Sequence, residues 1–314
     1  MINYFTKTKI KYVLIFVLFI SAIRIENIHA QLMEGYVNVD GQDRTFTLYI
    51  PDVDEKASLP LVIVFHGHGG SGNQIMNSTG FNLLADNEKF AVVYPDGMNK
   101  SWNDGRREPS DNARFDDVKF INQMINKLAK TFHIDTTRIY AAGMSNGGIF
   151  CFYLASKLSS RILAIAPVAA NIPENLLDDY EIESPVSLML INGTSDKLIK
   201  YEGGDVGFSI TKYRGTTVST DESIETFVKL NKCPPVPDIE KMPDLDGEDG
   251  CVAIKYSYTG GLKNTQVILI KVFNGGHTWP GGTQYLPKLL VGNVCRDFSA
   301  TEVIWNFFKS ISPR

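Results

Sequence analysis

Two hydrophobic patterns alternate along this chain: continuous apolar runs and apolar residues at helical spacing. Continuous apolar runs, typical of strands buried on both faces of a sheet, occur in "LPLVIVFHGHGG", "FAVVYPDG", "ILAIAPVAA", "PVSLMLING" and "QVILIKVFNGG". Apolar residues at helical spacing occur in "DDVKFINQMINKLAKTF" and in "SATEVIWNFFKSI". The alternation predicts an α/β fold with a mostly parallel central sheet and helices on both faces.

An antiparallel hairpin is predicted ahead of this sheet. The stretch "EGYVNVDGQDRTFTLYIP" has two alternating segments around Asp40-Gly41, a dipeptide that favours tight turns between strands. The chain contains no internal repeat and no low-complexity linker, so we expect a single catalytic domain over residues 31–314. Two segments, from about Tyr201 to Asp221 and from Cys233 to Gly250, are interpreted as insertions on that scaffold.

Residues 1–30 have the pattern of a secretory signal peptide. Three lysines precede an apolar run from Tyr12 to Ile23, and a polar stretch then leads to Ala30. The apolar run is about 12 residues long, shorter than the ~20 residues that span a bilayer. We expect cleavage near Ala30 and a secreted chain, extracellular or periplasmic, without a stable membrane anchor. An uncleaved anchor is the alternative.

The overall composition is that of an ordinary globular protein. Of 314 residues, 44% are hydrophobic and 21% are charged, and the net charge is −4. No block of lysine and arginine indicates a nucleic-acid surface, so no nucleic-acid partner is expected. The oligomeric state is left open by the sequence.

Four cysteines are present, and their spacing indicates no metal site. None belongs to a C-x-x-C pair. Cys151 lies in an apolar run and is interpreted as a buried free thiol. Cys233 and Cys251 flank a loop rich in Pro, Asp and Gly, and they are a disulfide candidate if the chain is exported. The alternative is that both are free. Cys295 has no evident partner.

The pentapeptide Gly143-Met144-Ser145-Asn146-Gly147 has the pattern G-x-S-x-G. Such a pattern is not rare in a chain with 26 glycines, so its surroundings decide its meaning. Here it joins a short apolar strand, "RIYAAG", to a helical segment, "GGIFCFYLASKL". A sharp strand-to-helix turn lifts the hydroxyl clear of the sheet, beside the backbone N–H groups and positive dipole of the helix N-terminus. This context predicts that Ser145 is a nucleophile.

A serine nucleophile needs a base, and elimination among the five histidines indicates His277. His29 falls in the signal segment. His66 and His68 lie on a loop after a strand, and His133 lies at the opposite end of the strand that leads to the serine. His277 lies in "FNGGHTWPGG", after the last buried strand. The carboxyl ends of parallel strands share one edge of the sheet, so this loop can reach the nucleophile.

The third predicted member of the site is Asp196. It follows a strand in "LMLINGTSDKLIKY", on the same edge of the sheet. A turn-forming role is the alternative, and Asp205 and Asp297 are weaker candidates for the acid. The order Ser145, Asp196, His277 is the order found in α/β-hydrolases.

Two backbone N–H groups are predicted to form an oxyanion hole. One is that of Asn146, which follows the nucleophile, and the other is that of His68 in "HGHGG", with Gly69 as the second choice. The imidazoles of His66 and His68 are expected to brace their loop. No metal and no organic cofactor is expected.

With these residues in place, the chain resembles the polyhydroxybutyrate depolymerase and feruloyl esterase-like branch of the secreted α/β-hydrolases. The resemblance rests on "FHGHGGSG", "VVYPDGMNKSWNDGR", "YAAGMSNGG", "LMLINGTSDKLIKYEGG" and above all "GGHTWPGG". It implies a secreted serine esterase with the triad Ser145, Asp196 and His277. It also implies that Trp279 and Trp102 line a substrate cleft, although packing is an equal alternative for Trp279.

The resemblance implies esters of polymeric or bulky substrates as partners, but it leaves the substrate open. Polyhydroxybutyrate-type oligoesters and feruloyl or acetyl esters of plant polysaccharide fit equally well. A secreted serine peptidase on the same fold is an alternative, and so is a binding protein that has lost turnover.

Overall fold

The computed structural model describes residues 27–28, 30–54, 56–106, 114–208 and 213–313. The predicted signal peptide therefore lies almost entirely outside the described residues. Across the ranges that are described, no helix combines the length and the apolar character needed to cross a membrane.

Fourteen strands and seven α-helices make up the described part of the chain. The strands are β1 (Asn27–Ile28), β2 (Gln31–Val39), β3 (Gln42–Ile50), β4 (Val53–Asp54), β5 (Leu59–Phe65), β6 (Ala91–Pro95), β7 (Ile134–Met144), β8 (Ala164–Val168), β9 (Ser187–Gly193), β10 (Gly204–Asp205), β11 (Thr216–Thr217), β12 (Asp238–Lys241), β13 (Val252–Tyr258) and β14 (Val267–Phe273). The helices are α1 (Gly72–Thr79), α2 (Phe81–Glu88), α3 (Asp117–Thr131), α4 (Asn146–Leu158), α5 (Thr220–Asn231), α6 (Lys288–Val291) and α7 (Ala300–Ser310).

A single large sheet forms the centre of the molecule, with the strand order β12-β13-β14-β9-β8-β7-β5-β6-β3-β2. The strands from β14 to β6 run parallel to one another. Antiparallel strands lie at both edges, β2 and β3 on one side and β12 and β13 on the other. The prediction of a mostly parallel sheet entered through an antiparallel hairpin is confirmed.

The entry hairpin turns at the dipeptide that the sequence indicated. Val39 pairs with Gln42, so the loop has only two residues, and Asp40 and Gly41 both have positive φ angles, 52° and 83°. Asp and Gly tolerate this left-handed backbone better than most residues do, which explains their place between two strands.

Helices cover both faces of the sheet and enclose two apolar cores. In β5, Leu61, Ile63 and Phe65 face the core that also contains the apolar faces of α3, α4 and α5. Val62 and Val64 face the other core, which is covered by α1, α2 and α7. Because both faces are buried, β5 needs apolar residues at every position, which accounts for its unbroken hydrophobic run.

The second predicted insertion extends the sheet. The segment from Cys233 to Gly250 contains β12, which pairs antiparallel with β13 just after the segment, and β13 pairs with β14. The hydrophobic pattern did not reveal these two strands, because β12 is exposed throughout and most of β13 is only half-buried. In the first insertion, β10 and β11 form a small separate hairpin-like pair.

The predicted disulfide between Cys233 and Cys251 is wrong. All four cysteines are buried, and no S–S bond joins Cys233 to Cys251. The Cys233 sulfur lies 3.8 Å from the carbonyl oxygen of Thr265, near the end of β13 where Tyr258 pairs with Val267. Cys251 lies at the opposite end of this strand, about 20 Å away at the usual rise per residue. A disulfide requires Cα atoms within about 7 Å of each other.

Candidate active site

Ser145 occupies a strained turn between β7 and α4. Its backbone has φ 59° and ψ −125°, an unusual conformation for a residue with a side chain. A Cβ atom at Gly143 would lie 2.6 Å from the carbonyl oxygen of Gly147, and one at Gly147 would lie 2.5 Å from the carbonyl oxygen of Phe65. Both positions therefore require glycine, which is the physical reason for the G-x-S-x-G pattern.

Asp196 and His277 lie in direct contact at the carboxyl ends of neighbouring strands. Asp196 follows β9 and His277 follows β14, and the two strands pair in parallel. The ring Nδ1 of His277 lies 2.7 Å from Oδ2 of Asp196, and both side chains are almost completely buried. With its Nδ1–H donated to the carboxylate, the ring keeps Nε2 as a proton acceptor.

The carboxylate of Asp196 is held by its own loop. Its Oδ1 accepts the backbone N–H groups of Leu198 and Ile199 at 2.8 Å and 2.9 Å, which leaves Oδ2 for the histidine. The backbone N–H of His277 donates to the carbonyl oxygen of Val291 at 2.6 Å. Both members of the pair are therefore fixed by main-chain hydrogen bonds, and the geometry of the contact is set before any ligand binds.

Glycines allow the two loops to come this close. A side chain at Gly193, the last residue of β9, would collide with the carbonyl oxygen of Gly275, and one at Gly276 would collide with that of Val291. A Cβ atom at Gly275 would lie 2.5 Å from Cγ1 of Val272, so close packing explains both glycines before His277.

A cleft of about 670 Å³ opens over these residues. Ser145 and His277 both line it, and Asp196 lies behind the histidine. Among the described residues no hydrogen bond joins the Ser145 hydroxyl to His277, and such contacts are often longer without a substrate than with one. The cleft is lined by apolar, polar uncharged and cationic side chains: Met144, Ile149, Leu198, Ile199, Val206 and Leu286; Gln74, Asn77, Ser78 and Thr283; and Arg106 and Arg214.

Comparison with known proteins finds relatives that are named as esterases. The family model described as "Esterase PHB depolymerase" matches residues 44–173, which include the serine turn. A curated protein of Nocardia uniformis subsp. tsuyamanensis, named "Putative esterase NocK", is 28% identical over 283 residues, or 86% of this chain and 80% of its own length. The resemblance to the polyhydroxybutyrate depolymerase and feruloyl esterase-like family is confirmed. The chain is similar to hydrolases of carboxylic esters.

For two further curated relatives, the match covers only part of this chain and part of the relative. Feruloyl esterase B of Piromyces equi is 28% identical over 180 residues, which are 55% of this chain and 33% of the relative. The bifunctional acetylxylan esterase/xylanase XynS20E of Neocallimastix patriciarum is 29% identical over 172 residues, 54% of this chain and 24% of the relative. The match thus covers a third or less of each of these two proteins.

A solved structure supports the fold. The acetyl xylan esterase from Aspergillus awamori superimposes with a TM-score of 0.53 at 13% sequence identity, over 76% of this chain and 92% of its own. At that identity the likeness establishes the fold alone. The chain has the α/β-hydrolase fold, as the sequence predicted.

The two residues predicted to supply oxyanion N–H groups both line the cleft. His68 and Asn146 lie there on either side of Ser145, the first on the loop after β5 and the second at the start of α4. The N–H of Gly69, the second choice, donates to the carbonyl oxygen of Lys100 at 2.7 Å. The oxyanion role of His68 and Asn146 stays a prediction.

The side chain of His66 joins two loops of the protein. Its Nδ1 lies 2.8 Å from the carbonyl oxygen of Gly67, and its Nε2 accepts the N–H of Gly97 at 2.9 Å. Burial lowers the pKa of this ring, so the neutral form with an accepting Nε2 is favoured. It fastens the loop after β5 to the loop after β6, as a bracing residue would.

The side chain of Asn146 makes a hydrogen-bond network that the sequence did not reveal. Its Oδ1 accepts hydrogen bonds from the backbone N–H of Trp102 at 2.8 Å and from the Ser101 hydroxyl at 3.0 Å. Its Nδ2 donates to Oδ2 of Asp104 at 2.6 Å, and Asp104 forms a buried ion pair of 2.7 Å with Arg106. The stretch "SWNDGR" after β6 is therefore tied to the residue that follows the predicted nucleophile.

The two tryptophans predicted to line the cleft have different surroundings in the structure. Trp102 is completely buried, its ring stacks on that of Phe150, and its Nε1 donates to the carbonyl oxygen of His66. The prediction that Trp102 contacts substrate is wrong, because the ring fills the core beneath the serine turn. Trp279 lines the cleft, with 5% of its surface exposed and its Nε1 donating to Thr301. A substrate contact of Trp279 stays a prediction.

Proposed function

We propose that this esterase is a secreted serine hydrolase in which Ser145, His277 and Asp196 form a catalytic triad. The observation that carries the proposal is the 2.7 Å contact of His277 Nδ1 with Asp196, at a cleft that the strained Ser145 also lines. A serine on a forced turn and a histidine held by a buried carboxylate, both at one cleft, are the parts that acyl transfer needs.

In the proposed acylation, the Ser145 hydroxyl attacks the ester carbonyl carbon and His277 Nε2 takes its proton. Asp196 stabilises the resulting imidazolium and keeps the ring in the required tautomer. The oxyanion accepts hydrogen bonds from the backbone N–H groups of His68 and Asn146. The proton on Nε2 then passes to the leaving alcohol, and an acyl-serine remains.

In the proposed deacylation, a water molecule enters from the side that the alcohol has left. His277 removes its proton as the oxygen attacks the acyl carbon, and the same N–H groups hold the second oxyanion. Collapse returns the proton to Ser145 and releases the carboxylic acid. These steps use side chains and backbone groups of the chain itself.

For the substrate, we propose acetyl or feruloyl esters of plant polysaccharide, or oligoesters of the polyhydroxybutyrate type. The named relatives include feruloyl and acetylxylan esterases, and the family model names a polyhydroxybutyrate depolymerase. The apolar side chains of the cleft lining suit an acyl group, and its amides and hydroxyls suit the hydroxyl groups of a sugar.

Release of acid from matched esters tests this proposal. The purified mature chain is assayed for ferulate, acetate and 3-hydroxybutyrate, with Ser145→Ala as the inactive variant and Ser156→Ala as its control. Ser156 lies on the same helix, and its hydroxyl donates to the carbonyl oxygen of Tyr153. We expect turnover and fluorophosphonate labelling in the wild type and in Ser156→Ala, and neither in Ser145→Ala.

Two results would count against the proposal. Equal activity of Ser145→Ala and wild type would remove Ser145 from the mechanism. Faster cleavage of an anilide than of the matching ester would indicate a peptidase.

A further inference from the structure

A pair of thiols lies buried outside the cleft, where the sequence gave no reason to expect one. The sulfur atoms of Cys251 and Cys295 and a carboxylate oxygen of Asp249 lie within 4.8 Å of one another. The two cysteines are 3% and 1% exposed. They are far apart in sequence, so the pairing arises only when the edge strands dock against the segment before α7.

The two thiols lie where the β12–β13 edge of the sheet meets the segment that packs against the His277 loop. Cys251 ends the segment that contains β12 and immediately precedes β13. The carbonyl oxygen of Cys295 accepts the N–H of Gly281 at 2.8 Å, and that of Asn293 accepts the N–H of Gly276 at 2.9 Å. The segment that holds Cys295 therefore packs directly against both ends of the short loop that carries His277.

Two buried aspartates fix the backbone on both sides of the thiols. Oδ2 of Asp249 accepts the N–H of Arg296 at 2.6 Å. Oδ1 of Asp297 accepts the N–H groups of Leu245 and Asp246, at 2.9 Å and 3.1 Å. Each aspartate thus belongs to one segment and binds the main chain of the other. These contacts hold the two cysteines near each other without any contribution from the sulfur atoms.

The surroundings favour an uncharged state of the sulfur atoms. A hydrogen bond with the Cys251 thiol and burial both raise the pKa of Cys295, and the Asp297 carboxylate lies 3.6 Å from its sulfur. Metal binding would require thiolates that persist in the folded protein, which this environment opposes, whereas disulfide exchange needs a thiolate only transiently. A disulfide carries no charge and leaves no S–H group to satisfy, so it is compatible with two neighbouring carboxylates.

We propose that Cys251 and Cys295 form a disulfide that cross-links the β12–β13 edge of the sheet to the segment supporting the His277 loop. The sulfur atoms need to approach to about 2.05 Å, and a change of side-chain rotamer at the two cysteines provides this movement.

The oxidant in this proposal is a disulfide carrier, either a small-molecule disulfide or a dithiol oxidoreductase. One cysteine thiolate attacks the carrier disulfide, forms a mixed disulfide and releases the first carrier sulfur as a thiol. The second cysteine then attacks the mixed disulfide, forms the Cys251–Cys295 bond and releases the second carrier thiol. Two electrons pass to the carrier, and its sulfurs take up the two protons. Oxidising compartments contain such carriers, so formation in the organism rests on the proposed secretion.

Counting thiols in the full chain tests the pairing directly and independently of esterase activity. The purified protein is equilibrated with mixtures of glutathione and glutathione disulfide, quenched with acid, unfolded, alkylated and mapped by mass spectrometry. We expect two alkylated cysteines, Cys151 and Cys233, and one linked peptide pair containing Cys251 and Cys295.

Three outcomes would overturn the proposal. They are four alkylated cysteines at every glutathione ratio, a linked peptide that contains Cys233, and zinc bound at one equivalent in the protein that retains four thiols.

Thermal unfolding provides a second, matched test. A reductant should lower the midpoint temperature of unfolding by about 5–10 °C in the oxidised wild type and in oxidised Cys233→Ala. Removing a cross-link that closes a loop of this size predicts a shift of that order. The double variant Cys251→Ala/Cys295→Ala should show no such shift. An equal shift in the double variant would contradict the assignment. If that variant does not fold, the peptide map of the wild type still decides between the outcomes.

Discussion

Asp196 is the side chain on which the proposed triad depends for its geometry. Its two oxygens have separate tasks, since Oδ1 accepts the N–H groups of Leu198 and Ile199 while Oδ2 contacts His277. An amide in place of the carboxylate can keep the backbone contacts through its oxygen, but it then presents an NH₂ group to the ring. The tautomer of His277 would be reversed, and its Nε2 would carry the proton that it should accept.

We therefore expect Asp196→Asn to lower kcat on a soluble ester by about 10⁴-fold, with folding retained. The matched control is Asp205→Asn, which changes the exposed rival aspartate on β10 and should leave kcat unchanged. Steady-state kinetics with a thermal unfolding curve for each variant make the measurement. A loss of similar size in Asp205→Asn would transfer the role to that residue.

At the scale of elements, the loop after β6 is tied to the start of α4 through Asn146. The buried Asp104 connects the amide of Asn146 with Arg106, and Nη1 of Arg106 donates to the carbonyl oxygen of Arg214 at 2.6 Å. Arg214 lies on the segment between β10 and β11 and lines the cleft. This chain of contacts links the backbone N–H proposed for the oxyanion to the wall of the cleft.

Asp104→Ala should reduce kcat/KM by about 10–100-fold, mostly through kcat, because the N-terminus of α4 loses its tether and small displacements are costly in acyl transfer. Asp104→Asn should recover part of this loss, since its amide oxygen can still accept from Asn146. Measured kcat and KM for both variants test this. If Asp104→Ala changed only KM, the network would act on binding and not on the oxyanion.

Most of the fold and the chemistry at the ends of strands were predictable from the sequence, and the physical reason differs by element. In β5 and β9, burial on both faces forces apolar residues at every position, so a short window of sequence carries the information. Ser145, Asp196 and His277 were predicted as site residues because each lies just after a buried strand, and their catalytic roles stay a proposal. In β12 and β13 the exposure is high and the pattern is weak, so these strands were missed.

The errors concern side chains whose surroundings come from distant parts of the chain. Trp102 lies in a polar stretch that resembles a surface loop, yet Phe150 and Phe65 enclose it. Cys233 and Cys251 flank one loop in sequence, but a whole strand separates them in space. The role of Asp104 depends on an amide 42 residues later in the chain.

At the scale of the whole molecule, one buried ion pair joins the entry hairpin to the first long helix. Nη2 of Arg44, on β3, lies 2.5 Å from Oδ1 of Asp117, the first residue of α3, and both side chains are almost fully buried. Oδ2 of Asp117 also accepts the N–H of Asn103 at 2.7 Å. The pair therefore connects the edge of the sheet, a helix and the loop beneath the serine turn.

Asp117→Ala should lower the free energy of unfolding by about 3–5 kcal/mol, because it leaves a buried guanidinium without its counter-charge. A natural control is the exposed ion pair of Lys119 and Asp40, which joins the same helix to the same hairpin. Asp40→Ala should cost about 0–1 kcal/mol through this pair, with a small further effect from the turn. Denaturant unfolding of the two variants gives the comparison, and equal losses would show that burial is not the deciding factor.

The exposed strand β12 determines how the sheet ends. Its sequence, Asp238-Ile239-Glu240-Lys241, has charged residues at three of four positions, and Glu240 pairs with Lys255 across the hairpin. Without β12 and β13 the sheet would end at the apolar β14, whose unpaired main-chain groups would be a template for another chain. A short, charged last strand is a poor template. The added hairpin thus protects the molecule from edge-to-edge association.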